Sequence, residues 1–489
     1  MTATAPTLAR RAVSGRWLVL VIVCLAQFMV VLDATIVNVA LPSIQRGLGF
    51  STSDLQWVVN AYTLVFGGFL LLGGRLADVL GRKRLFVIGA ALFSFASLIN
   101  GIAQSPGMLI AGRALQGLGG ALISPAALAI ITTTFPDRQE RTRALGIWSA
   151  IAAGGGAAGL LLGGVLTDLL SWEWVFLVNL PVGLIALALA LRYVPESRGE
   201  LSTRGFDIAG AVSVTTGLVV LVYAIVQAQA WGWGSGRTLG LAAVAVVLLT
   251  AFVLIERRSR APLMRLSIFK VRSLATADVV LLLVASGLFA MFFFASLYVQ
   301  DVLGYSPLKA GLAFLPVTAG IAIGAGIAQQ LIRRMGVRGV TILGLTMATI
   351  GMVLLTQLPV DGSYAADLLP GLLILSLGMG LVFVPITLLA TSGVEGKDQG
   401  LASGLFNTAQ QVGGSLGLAV LSSLAATRTA DMIGSVSKAQ AQVDGFHVAF
   451  WGASILLAAG VVLFVAMLRR RHVTDLDLEP APAPAPAPA

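Results

Sequence analysis

Histidine, cysteine and charge are scarce in this chain, and each shortage removes a class of function. The only histidines among its 489 residues are His447 and His472, too few for a histidine-built metal centre and little to run general-base chemistry on. The single cysteine, Cys24, excludes an intrachain disulfide. Charged residues make up 11% of the chain, against about 25% in average soluble domains, which excludes a soluble globular protein of this size. No G-x-x-x-x-G-K-[ST] phosphate loop occurs, which argues against an ATP-driven pump. No nucleophile–base–acid constellation recurs in the loops, and the polar loops are too short for a nucleotide-binding or kinase domain. Neither an enzyme nor a cofactor is expected.

What the chain has in abundance is apolar residues, 57% of the total. They gather into blocks of about 20, the helix length that crosses a hydrocarbon core of about 30 Å. Fourteen blocks are legible: 17–41, 54–74, 85–104, 107–134, 145–169, 172–193, 207–228, 238–255, 274–300, 307–332, 339–358, 366–391, 401–427 and 446–468. An all-α polytopic membrane protein follows, with the lipid bilayer as its main partner. Threaded with the N-terminus in the cytoplasm, all 32 Lys and Arg residues fall on the inner side except Arg46, Arg237, Lys309, Arg428 and Lys438 outside and Arg113 within a span. That asymmetry is the positive-inside pattern and puts both termini in the cytoplasm. The formal charge of +10 therefore reports topology, and no nucleic-acid surface is expected. Arg10-Arg11 before the first block faintly resembles a twin-arginine signal, but the block is long and lacks a small-residue cleavage site, so it reads as an uncleaved helix.

Two ionisable residues interrupt the apolar blocks. Asp33 lies ~13 Å from the outer end of the first block at Pro42, and Arg113 lies ~9 Å into the fourth, counting 1.5 Å per residue. Similar depth and opposite charge predict a pair, direct or through water. A charged group inside a span is costly and points to proton or ion handling. The alternatives are an aspartate in a kink or water-filled dent, and a static pair that only joins two helices. In the functional version, a change in access to water or in the distance to Arg113 moves the Asp33 pKa, because desolvation raises it and Arg113 lowers it. Asp33 then loads a proton outside and releases it inside.

Two landmarks recur at one offset. Gly49-Phe50-Ser51 matches Gly304-Tyr305-Ser306, and the same offset of 255 sets Leu76 on Leu331, Gly81 on Gly336, Lys83 on Arg338 and Gly89 on Gly344. A shared register indicates a parallel internal repeat. Asp33, Asp78 and Arg113 fall on Leu288, Arg333 and Leu368, so the ionic chemistry belongs to the first half. The expected organisation is a tail 1–16, a six-helix bundle 17–194, a linker 195–272 with an inserted two-helix hairpin, a second six-helix bundle 273–470, and a disordered Pro-Ala tail 471–489. The hairpin, poor in polar residues, reads as facing lipid. Asp278, four residues into its block, reads as a helix-start anion.

The loop after the second block, Gly74-Arg75-Leu76-Ala77-Asp78-Val79-Leu80-Gly81-Arg82-Lys83-Arg84, resembles the loop between helices 2 and 3 of the major facilitator superfamily. In it Gly81 suits a tight reversal, and Asp78 and Arg82 are spaced to pair on a helical turn. Glycines at 155, 159 and 163 share one face of the fifth block, a surface for close helix packing. Their spacing is similar to the superfamily's exporter and antiporter motif, with Leu160 where that motif has proline. Leu32–Pro42, Trp172-Glu173-Trp174, Gly304-Tyr305-Ser306-Pro307 and Phe406-Asn407-Thr408-Ala409-Gln410-Gln411 resemble the fourteen-helix drug:proton antiporter branch. Glu173 and Gln410 stand where that branch has arginine.

This resemblance covers residues 15–470 or so. It implies a multidrug or antibiotic exporter of the bacterial cytoplasmic membrane, driven by the proton gradient, with an acidic residue in helix 1 (Asp33) and an arginine in helix 4 (Arg113) serving coupling. The competing readings are a gradient-independent facilitator or importer of a metabolite, and a membrane enzyme or receptor. Candidate pocket residues are Phe28, Asn38, Asn60, Tyr62, Gln116, Asn179, Asn407 and Gln411, although hydrogen bonding between helices explains each equally well. Exporters of permanent organic cations in the branch it resembles tend to carry extra acidic residues in helices 10 and 13; blocks 307–332 and 401–427 contain none, so the resemblance implies neutral, weakly basic or zwitterionic apolar cargo over dications. The protein is expected to be a monomer.

Overall fold

The computed structural model describes residues 5–51, 54–198, 207–259, 262–391, 394 and 399–468. The Pro-Ala tail 471–489 lies outside them, as does 199–206 of the linker; of Arg10 and Arg11 only the helical backbone is described. The chain is helical throughout: α1 (Ala5–Leu48), α2 (Trp57–Leu80), α3 (Arg82–Gly101), α4 (Pro106–Thr134), α5 (Arg138–Leu169), α6 (Trp174–Leu177), α7 (Asn179–Tyr193), α8 (Ile208–Trp231), α9 (Gly236–Arg258), α10 (Arg272–Leu297), α11 (Pro307–Ala313), α12 (Leu315–Leu355), α13 (Leu369–Thr391), α14 (Gln399–Met432) and α15 (Lys438–Met467). Among the described residues, extended pairing is limited to one bridge, Ile433 with Val436. Among the described residues, eleven segments are long and apolar enough to cross a membrane.

Local chemistry sets the helix limits. Ser105, Asp137, Ser235, Ser306 and Ser437 each accept a backbone N–H in the first turn of the helix that follows, satisfying groups that have no partner within the helix. Gly81, at φ 114°, ends α2 and starts α3, a backbone that glycine adopts without a Cβ penalty. Its repeat partner Gly336, at φ 68°, breaks α12 between 315–335 and 337–355. Gly49 and Gly304, the other aligned pair, take φ 69° and 67°.

Helices α1 to α7 pack as one group and α10 to α15 as another. One continuous apolar core joins α1 from Leu32 to Ile44, Val58, Leu109, Leu160 and Trp172 to the inner faces of α10, α12, α13 and α15. At the other end the first group has a core of its own, built from Val19–Val30, Phe86, Phe93, Ile131 and Phe135. The two groups meet along α2 and α14, where Thr408 donates to Gly67 O (3.2 Å), and at the Pro42 end of α1, where the Ser296 hydroxyl donates to Asn38 O (2.7 Å) and the Gln300 amide to Val39 O (2.8 Å). The hairpin corrects one expectation. Helix α9 is exposed along most of its length, whereas α8 packs across both α2 and α14, burying Leu218, Val222 and Val226 against Trp57, Leu64 and Ala419.

Candidate ion-pair site

Asp33 and Arg113 meet. Arg113 Nη1 donates to Asp33 Oδ2 at 2.5 Å, with the two side chains 1% and 0% exposed. The other carboxylate oxygen accepts from Gln116 Nε2 (2.7 Å) and Asn179 Nδ2 (2.8 Å). Arg113 also donates from Nε to Val58 O (2.9 Å) and from Nη1 to Gln116 Oε1 (2.7 Å). Its guanidinium carbon stands 4.3 Å over the Tyr62 ring and 5.7 Å from that of Phe176. Such stacking suits a planar, weakly hydrated cation.

The cluster draws one or more residues from each of α1, α2, α3, α4, α6 and α7. Helix α4 places Arg113 and Gln116 three residues apart on one face, and α3 does the same with Ser97 and Asn100. Ser97 Oγ accepts from Gln116 Nε2 (2.8 Å), and Asn100 donates to Gln116 Oε1 (2.8 Å). Neither Ser97, Asn100 nor Phe176 was singled out from the sequence. The i, i+3 spacing of Ser97 and Asn100 within an apolar block was the available signal. Both side chains are buried inside the first helix group.

The remaining candidates do not assemble into one pocket. Tyr62, Gln116 and Asn179 belong to the ion-pair cluster, and Tyr62 stacks on Phe66 at 5.8 Å. Asn60 donates to Gln56, Asn38 to carbonyls of its own helix, and exposed Asn407 to Ser403 O. Gln411 packs against Gly67, with a side-chain carbon at Gly67 falling 2.7 Å from Gln411 Cβ. Phe28 lines a cavity between α1 and α5. Asp278 corrects a second expectation. It lies on the second turn of α10, 7% exposed, and among the described residues neither oxygen finds a hydrogen-bond partner, so it is not the helix-start anion expected.

The loop and helix motifs take defined places. Asp78 pairs with Arg82 at 2.9 Å, and Gly74 lies against Pro125. Glu196, unnoticed in the sequence, accepts the backbone N–H groups of Lys83 (3.1 Å) and Arg84 (3.2 Å), a carboxylate at a helix N-terminus. On α5, Gly155, Gly159 and Gly163 face α1. A side-chain carbon at Gly159 would sit 2.8 Å from Leu32 O, and one at Gly163 2.6 Å from Ile36 O. Without a proline at Leu160, α5 runs unbroken, and Leu160 O approaches Gly311 of α11.

Comparison with known proteins agrees with this architecture. The chain is 42% identical over 456 residues to the puromycin resistance protein pur8 of Streptomyces alboniger, covering 93% of this chain and 90% of that one. It is 42% identical over 412 residues to the cephamycin export protein CmcT of Amycolatopsis lactamdurans, covering 82% and 83%. The tetracenomycin C resistance and export protein of Streptomyces glaucescens is 37% identical over 416 residues, covering 85% and 77%. In fold, the chain is similar to a bacterial homologue of the lysosomal transporter Spinster, solved inward-facing and unoccupied, with a TM-score of 0.66 at 18% identity over 96% of this chain and 99% of that one. These relatives mark the protein as a transporter, not an enzyme. The model of the Major Facilitator Superfamily matches residues 23–418, and the chain belongs to that superfamily.

Proposed function

We propose that this protein is a proton-driven antiporter that exports apolar, drug-like compounds, antibiotics among them, across the cytoplasmic membrane by alternating access. The single observation that carries the coupling role is Asp33, a carboxylate on α1 with no exposure to water whose three donors come from two other helices, α4 and α7. Such a group changes protonation only when the helices holding it rearrange, and that ties proton traffic to conformation. The relatives named for puromycin, cephamycin and tetracenomycin C support antibiotics as cargo. Neutral, weakly basic or zwitterionic molecules fit better than dications, since 307–332 and 401–427 carry no acidic residue.

The bilayer path has fourteen spans in this reading: Pro307–Leu355 divides at Gly336, and α5 and α14 each cross. With both termini cytoplasmic, the shared core lies on the outer side, and the conformation faces inward. The proton gradient supplies the energy, and no cofactor is needed. A monomer in the lipid bilayer suffices.

The test is antibiotic efflux in an exporter-deficient bacterial host with and without an uncoupler. Efflux that stops when the gradient collapses supports antiport. Efflux that persists would return the protein to a gradient-independent facilitator. Asp33→Asn is expected to abolish gradient-driven efflux, and normal efflux in that variant would make Asp33 structural.

A further inference from the structure

Toward the start of α1 from the contact between Gly155 and Phe28, α1 and α5 separate around a cavity of about 540 Å³. Trp17, Cys24 and Phe28 line it from α1, and Ile147, Ile151 and Gly154 from α5. That volume falls within the 300–1,000 Å³ of small-molecule sites. Among the described residues no charged side chain lines it, and an ion moved there would lose its hydration without compensation. The aromatic rings of Trp17 and Phe28 give it flat apolar walls.

Adjacent glycines differ in what they do here. A side-chain carbon at Gly155 would meet Phe28 O at 3.3 Å, so that glycine serves the α1–α5 contact. At Gly154 such a carbon would meet nothing within 4 Å, and the backbone is ordinary helix. Glycine within a helix costs roughly 1 kcal/mol relative to alanine, and no packing contact requires it at this position. What its missing side chain provides is room in the cavity.

We propose that this cavity between α1 and α5 binds the uncharged, apolar part of the exported molecule, an aromatic or polycyclic group, while polar or charged groups stay outside. The occupant's identity as cargo rests on the exporter reading; its recognition does not involve Asp33. The only cysteine, Cys24, is buried behind the cavity wall, so a single reporter thiol can be placed at the exposed lining position Ile147 in a Cys24→Ser background.

The experiment uses the full chain in lipid nanodiscs without a proton gradient, titrated with the uncharged fluorophore N-phenyl-1-naphthylamine. Saturating probe should slow N-ethylmaleimide alkylation of the Ile147→Cys reporter several-fold. Gly154→Phe should weaken probe binding about tenfold or more, a difference of 1.4 kcal/mol. Gly240→Phe, at another exposed glycine with open space around it, on α9, should leave binding within about twofold, near the resolution of a ligand titration. Unchanged alkylation with bound probe, or wild-type affinity in Gly154→Phe, overturns the proposal. Protection of the Ile147→Cys reporter by lipid acyl chains that the probe cannot displace overturns it too, and assigns the cavity to lipid. Failure of gradient-driven export in cells would leave this titration unchanged, so the two readings fail separately.

Discussion

Asn179, at the first turn of α7, donates a 2.8 Å hydrogen bond to Asp33 Oδ1 on α1, 146 positions earlier in the chain. The amide thus does for one carboxylate oxygen what Arg113 does for the other, but without charge. Replacing it by leucine, of similar size, leaves that oxygen with Gln116 alone. Asn179→Leu should cost about 1–3 kcal/mol, the range for an unsatisfied buried group, read as a lower thermal midpoint in detergent. A midpoint equal to wild type would mean that water takes the place of the amide and that the cluster is less sealed than its burial implies.

Arg113 makes three kinds of contact at once: to Asp33, to Val58 O and over Tyr62. An ammonium cannot reproduce that fork and plane. Arg113→Gln, which leaves Asp33 buried and uncompensated, should destabilise by about 3–5 kcal/mol. The double variant Asp33→Asn/Arg113→Gln should recover much of that loss while efflux stays absent. A thermal-stability cycle measures the coupling; additive losses would show that the two charges do not depend on each other.

The pair was legible from sequence because helix geometry converts residue counts into depth, and two opposite charges at one depth in apolar blocks have few other partners. The rest of the cluster was not. Serine and asparagine recur throughout apolar helices, and nothing in the spacing of Ser97 and Asn100 says which neighbour they face. Helix α8 is apolar all round, so periodicity could not reveal that it lies across α2 and α14. Asp278 read as a helix-start anion by its position alone, and only packing shows that its carboxylate meets no N–H. The cavity beside Gly154 is a gap between helices, and a gap leaves no pattern in residue order.

Gly159 is one of the points where α5 packs tightly on α1. A side-chain carbon there would meet Leu32 O at 2.8 Å and Ile36 N at 3.1 Å, one turn from Asp33. Gly159→Leu must push the helices apart, and overpacking of this kind costs about 1–3 kcal/mol or more. The expected result is reduced folded yield and lost efflux, whereas Gly154→Ala, in open space, should express and fold like wild type. Equal yields for Gly159→Leu and Gly154→Ala would mean that the α1–α5 contact opens easily.

At the end where the two helix groups meet, an ion pair and buried hydrogen bonds act side by side. Arg46 approaches Asp301 at 3.7 Å with its side chain 64% exposed, and exposed pairs of this kind contribute about 0–1 kcal/mol. Gln300, buried, donates to Val39 O across the same seam at 2.8 Å, and Ser296 to Asn38 O at 2.7 Å. If the seam closes the outer side, its strength sets how often that side opens. Removing Gln300 takes away this cross-seam hydrogen bond, worth about 0.5–1.5 kcal/mol net, while Val39 O keeps its place within α1. Gln300→Leu should therefore shift the population toward outside-open several-fold more than Arg46→Ala. The readout is alkylation of an Asn38→Cys reporter, placed in a Cys24→Ser background, by a membrane-impermeant maleimide added outside. Faster labelling with Gln300→Leu and near-wild-type labelling with Arg46→Ala is the expected order. The reverse order would show that the exposed ion pair, not the buried hydrogen bonds, holds the two halves together.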